Sequence, residues 1–161
     1  MNQEEFVNAL LELFPKIMRH LEAQEAREVT GLDVTPVQVH ALLALNAKNN
    51  LTMGELSSEL GMAESAATRL VDRLAKTNLI RRRGDPRDRR LVRISLSSYG
   101  QQLAQLVMER RTRTFGRLAE HLTPAEQESL VLSMQALLRS WAEIEAEARA
   151  REGEQKGENG M

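Results

Sequence analysis

Ten lysines and arginines stand between Arg69 and Arg93 (positions 69, 73, 76, 81, 82, 83, 87, 89, 90 and 93), against three aspartates at 72, 85 and 88. The stretch carries +7 in a chain whose formal net charge is -1. Guanidinium groups this dense suit phosphate oxygens and guanine edges, which they meet with paired N–H donors. A polyanion responds to the local patch, because salt screens acidic segments beyond roughly 8 Å. The alternative is a solvated charged hairpin. It is the weaker reading, since seven arginines between 81 and 93 repel one another unless an anion neutralises them.

Catalytic chemistry finds little support. Asp85 and Asp88 form a carboxylate pair, but among arginines both should be ionised and useless as a general acid. No Gly-x-Gly-x-x-Gly, P-loop, His-Glu-x-x-His or Gly-x-Ser-x-Gly string occurs. The three histidines, His20, His40 and His121, are too scattered for a metal set and read as ordinary, partly buried residues. There is no cysteine, which removes disulfides, thiolate zinc sites and thiol redox switches. Neither enzyme activity, nor a metal, nor a cofactor is expected. Aromatic content of 3% disfavours stacking platforms for single strands, so duplex DNA is the better anionic partner. A start without basic and apolar leader regions, and the lack of a membrane-length apolar run, lead us to expect a cytoplasmic protein.

The elements that position these charges follow from periodicity. Ala67, Leu70, Val71 and Leu74 make one buried stripe of a helix, leaving Ser65, Thr68, Arg69, Asp72, Arg73 and Lys76 on the other side. Leu79-Ile80 and Leu91 to Leu96 read as two short strands joined by a Gly84-Asp85-Pro86 turn. Upstream, Thr52-Met53-Gly54-Glu55 is a capping box opening a short helix that Gly61 closes, so the pair forms a helix-turn-helix. Thr35-Pro36-Val37-Gln38 caps an earlier helix of about twelve residues burying Val39, Leu42, Leu43 and Leu45. Residues 4 to 30 carry a helical stripe (Phe6, Leu10, Leu13, Ile17, Leu21) in which Pro15 predicts a kink or an early break near Leu11 to Phe14, with Gly31 as the stop. Ser97 or Ser98 caps a long helix to about His121. Thr123-Pro124-Ala125-Glu126 caps the last one, whose Leu130, Met134, Leu137, Trp141, Ile144 and Ala148 are spaced as a coiled-coil seam. Residues 151–161 read as a disordered tail, too polar to pack.

The string Thr68-Arg69-Leu70-Val71-Asp72-Arg73-Leu74, then Leu79-Ile80 and Asp85-Pro86-Arg87-Asp88-Arg89-Arg90, resembles the recognition helix and wing of the MarR (multiple antibiotic resistance regulator) family of winged helix-turn-helix regulators. Gly31-Leu32 with Thr35 and Gln38, Leu51-Thr52 with Glu55-Leu56, and Leu96-Ser97 with Gly100 add to the resemblance. It departs at Asn78, where the family usually has Gly and where Asn can also adopt the left-handed conformation, and at Ser97 in place of Thr.

This resemblance implies a mainly α fold: residues 1–33 an N-terminal dimerisation helix, 34–97 a winged DNA-binding unit with a small β-hairpin, and 98–150 C-terminal dimerisation helices. It implies a homodimer on a palindromic operator, most plainly a repressor released by a small, often aromatic or phenolic anion for which the sequence holds no fingerprint. Ser65, Ala66, Thr68, Arg69 and Arg73 are the candidates for the major groove. Arg69 and Arg73 would contact guanine, or else phosphate or Asp72. In the wing, the resemblance assigns Arg90 to the minor groove with Asp88 holding it, while Arg87 and Arg89 meet phosphates. Of Arg81, Arg82 and Arg83, which alternate along a strand, two would face DNA, Arg81 and Arg83 being the candidates. Helix-start amides near Thr35 and Thr52 are further candidates for phosphate. The competing function is a winged-helix protein-interaction module without DNA binding.

Overall fold

The computed structural model describes residues 1–88 and 90–158. Its elements run α1 (Gln3–Glu28), α2 (Pro36–Ala47), β1 (Leu51–Thr52), α3 (Met53–Glu59), α4 (Glu64–Lys76), β2 (Ile80–Gly84), β3 (Val92–Leu96), α5 (Ser98–Glu120) and α6 (Pro124–Glu158). Two compact units result, Met1–Arg113 and Thr114–Met161.

The core of the first unit gathers Leu42 and Leu45 of α2, Leu56 of α3, Leu70, Val71 and Leu74 of α4, Leu79, Ile80 and Ile94 of the sheet region, and Leu103 and Ala104 of α5. All four residues of the α4 stripe are buried as periodicity requires. In α2, Ala41 is buried, whereas Leu43 remains only partly covered. The sheet has three antiparallel strands in the order β1-β3-β2, not two. A two-residue strand has no periodicity to read, and β1 exists because Leu51 and Thr52 lie opposite Ile94 and Arg93.

Two helices outrun their expected limits. Pro15 lies inside an unbroken α1, so the early break does not occur. Proline leaves the Leu11 carbonyl without its helical donor, but Leu11 is well exposed and water can satisfy it. An Asn2–Glu5 capping box also secures the first turn, each side chain 2.9 Å from the other's backbone nitrogen. At the far end, α6 runs to Glu158, which corrects the disordered tail for residues 151–158; residues 159–161 fall outside the described residues. Inability to pack is not inability to coil. Glu, Arg, Lys and Gln are good helix formers, and pairs such as Arg149–Glu145 at 3.0 Å favour continuation.

The end of α1 is tied to α5 within the first unit. Arg111 donates from Nε and Nη2 to one oxygen of the buried Glu28, at 3.1 and 2.9 Å, while Arg110 donates to the Glu28 and Thr30 carbonyls at 2.7 and 3.0 Å. His40 of α2 reaches Glu25 at 2.9 Å. All three histidines are exposed rather than partly buried, and no cluster of three or more His, Asp or Glu suited to a metal forms among the described residues.

Candidate nucleic-acid interface

Helices α3 and α4 are joined by a turn that the backbone specifies. Gly61 has φ +61°, its amide donates to the Ser58 carbonyl at 3.1 Å, and the Met62 amide donates to that of Ser57 at 3.0 Å, a helix stop that favours glycine. Asn78 ends α4 in the same way at φ 56°, the Leu79 amide reaching the Leu74 carbonyl at 2.9 Å. Asn is the non-glycine residue that tolerates this conformation best, so its presence costs the fold little. Both stops orient α4 with Ser65, Thr68, Arg69 and Arg73 exposed. Ala66 is partly covered, and the Thr68 hydroxyl donates back to the Glu64 carbonyl at 2.9 Å.

Asp72 settles one alternative. It pairs at 2.5 Å with Arg82 of β2, so neither Arg69 nor Arg73 is its partner. Strand alternation then sets Arg81 and Arg83 on the face opposite Arg82, all three remaining solvent-accessible. The Thr35 and Thr52 groups are committed to capping boxes: the Thr35 amide donates to Gln38 at 2.8 Å and the Thr52 amide to Glu55 at 2.7 Å. Any free donors at these helix starts therefore belong to the following residues.

The wing is organised by a residue that sequence reasoning passed over as a site residue. Asp85, only 8% exposed, accepts the Arg87 and Asp88 amides on Oδ1 at 2.7 and 3.1 Å, and the Arg93 Nε–H on Oδ2 at 2.6 Å. The signal was present: an Asp before a proline often closes a turn with its side chain. Asp88 accepts the Arg90 amide at 2.9 Å, so it fixes that arginine through the backbone. The side chains of Arg87 and Arg90 are exposed; Arg89 lies outside the described residues.

The Arg93 guanidinium, followed by the Arg87 and Asp88 amides, holds the Asp85 carboxyl down from 3.8 to about 2. A lowered pKa stabilises the folded wing wherever the unfolded carboxyl would also be ionised, and that contribution disappears as pH falls from about 4 through about 2. We expect the wing amides of Arg87 and Asp88 to lose protection from exchange in that window and Asp85→Asn to abolish the transition. A transition of the same midpoint in the Asn variant would assign it elsewhere.

A model of the MarR family matches residues 32–91, a span that contains α4, β2 and the wing tip and ends just before β3. The uncharacterized HTH-type transcriptional regulator YsmB of Bacillus subtilis is 36% identical over 115 residues, covering 69% of this chain and 79% of YsmB. The chain belongs to the MarR family. A MarR family protein from Bacillus stearothermophilus superposes with a TM-score of 0.73 at 31% identity, over 89% of this chain and 98% of that one. A mutant of MarR from E. coli, solved in complex with operator DNA, gives a TM-score of 0.71 over 86% and 99% of the chains, a likeness of fold at 22% identity. As in its MarR-family relatives, the architecture is a winged helix of transcriptional regulators, and among the described residues no helix is long and apolar enough to cross a membrane.

Proposed function

We propose that this MarR-family regulator binds a palindromic duplex as a homodimer, as a repressor released by a small-molecule effector. One observation carries the reading. Among the described residues, the outer face of α4 and the wing both present cations without internal partners, while Arg82 and Arg93, in the same basic stretch, are internally paired. Arg69 and Arg73, with Ser65, Ala66 and Thr68 beside them, would enter the major groove. Arg90 would enter the minor groove, and Arg81, Arg83, Arg87 and Arg89 would meet phosphates.

Dimerisation is supported by apolar stripes left exposed in the single chain, Leu10, Leu13 and Ile17 on α1 and Leu130, Met134 and Ile144 on α6. Two-fold symmetry would set the reading helices about 34 Å apart, one turn of DNA. For the effector, an open recess of about 480 Å³ beside the end of α2 is lined by Asn46, Gln105, Met108, Glu109, Thr112 and Arg113, a mixed polar and apolar surface in which Arg113 would favour an anion and Glu109 oppose it.

Selecting duplex fragments with the purified protein tests this directly. On the selected duplex, Arg69→Ala should cost about 1 to 3 kcal/mol and relax sequence preference. Arg87→Ala should weaken selected and random duplexes alike, and should lower the log-log salt slope by roughly 0.9. Binding that ignores salt, or identical behaviour of the two variants on both duplexes, would contradict the reading.

A further inference from the structure

Arg93 belongs to the basic stretch in sequence but not in function. Its Nε donates to Asp85 Oδ2 at 2.6 Å, and its Nη1 donates to the Asn50 carbonyl at 2.9 Å and approaches Glu55 Oε2 at 3.5 Å. Those acceptors come from three places: the base of the wing, the turn before β1, and the first turn of α3. Asn50 is held at φ 60°, which turns the chain into β1. Glu55 is the capping-box carboxylate of α3 and also receives the Thr52 amide at 2.7 Å. A continuous path of hydrogen bonds thus runs from the wing-tip amides of Arg87 and Asp88, through Asp85 and Arg93, to the start of the helix-turn-helix.

We infer that Arg93 is a positioning residue, a bracket that sets the wing relative to α3 and α4 and makes no contact with DNA itself. The inference rests on the DNA-binding reading above. A two-stranded hairpin is marginally stable alone, and the third strand, β1, pairs with only two residues of β3. Without a tether, the wing tip would sample many positions relative to the reading helix, and binding would have to order it. Arg93 supplies the tether across the β1–β3 pair, where it lies opposite Thr52. Its Nε and Nη1 are already engaged by Asp85, Asn50 and Glu55, so it is not counted among the phosphate contacts. Lysine cannot replace it. The bracket uses two nitrogens of a rigid fork aimed at separate acceptors, and an ammonium offers one point on a flexible stem.

Arg93→Lys and Arg93→Gln test the bracket by three readouts, with Arg87→Ala as the comparison. Amide exchange at Arg87 and Asp88 should accelerate roughly tenfold or more in both Arg93 variants, the scale of one lost charge-assisted hydrogen bond, with no DNA present. Preference for the selected duplex over random duplex should fall about tenfold in both. The salt slope of Arg93→Gln should stay at the wild-type value, whereas Arg87→Ala loses roughly 0.9. Should the Gln variant fail to fold, the Lys variant carries the exchange and preference measurements. Wild-type wing protection and preference in Arg93→Lys would overturn the bracket, as would a lowered slope in Arg93→Gln that lysine restores. A wild-type chain that binds no duplex sinks the DNA reading, whereas unchanged amide exchange in Arg93→Lys sinks the bracket alone.

Discussion

Gly100→Ala is expected to destabilise the Met1–Arg113 unit by about 3 kcal/mol or more, the upper range for forcing an atom into filled space. A Cβ at this position would lie 2.0 Å from the Leu79 carbonyl oxygen and 3.0 Å from its carbon, both backbone atoms that cannot rotate away. The closeness is built by neighbouring bonds. Ser97 receives the Gly100 amide on Oγ at 2.9 Å, donates that hydroxyl to the Asn78 carbonyl at 2.6 Å, and donates its own amide to Leu79 at 3.0 Å. The first turn of α5 is thereby laid on the residues that end α4, and an added methyl must lift one from the other. Gly54→Ala is the control: its Cβ meets nothing within 4 Å, and the substitution should gain about 0.4 to 1 kcal/mol by restricting the unfolded chain. Urea midpoints compared at fixed protein concentration decide the matter; equal midpoints for Gly100→Ala and wild type would refute the close approach.

Arg111→Met should be at least as costly, by about 3 to 5 kcal/mol, because it leaves the buried Glu28 carboxylate without the guanidinium that donates two hydrogen bonds to it. The size of the loss would measure an uncompensated charge and not the worth of the pair. Replacing both members tells the two apart. Glu28→Gln combined with Arg111→Met should recover most of the stability, since a neutral amide is far cheaper to bury than a charge. Losses that simply add in the double variant would mean that the two residues do not act on each other. Because the pair joins the end of α1 to α5, the single variant should also loosen the attachment of the N-terminal helix, visible as faster exchange near Val29 and Thr30.

Particular residues mark how far local reasoning reached. The Thr35–Gln38, Thr52–Glu55 and Thr123–Glu126 boxes all form where the spacing requires them, because a cap is completed within four residues. The buried stripe of α4 is as legible, and so is the left-handed Asn78. Reading failed where a general rule was overridden by circumstance. Pro15 does not break α1, and a polar composition does not stop α6 at residue 150.

The sequence by itself determined the capped starts of α2, α3 and α6, the stop at Gly61, the face that α4 buries, the hairpin and the concentration of positive charge, since each depends on neighbours within a turn or two. Only the tertiary structure decided which charges are spent internally. Arg82 takes Asp72 ten positions away, Arg93 takes the Asn50 carbonyl 43 positions away, and Arg111 takes Glu28 across 83. Ion pairs are chosen by where packed helices and strands bring side chains together, and identical arginines in a row acquire different roles because alternation and packing turn them toward different neighbours.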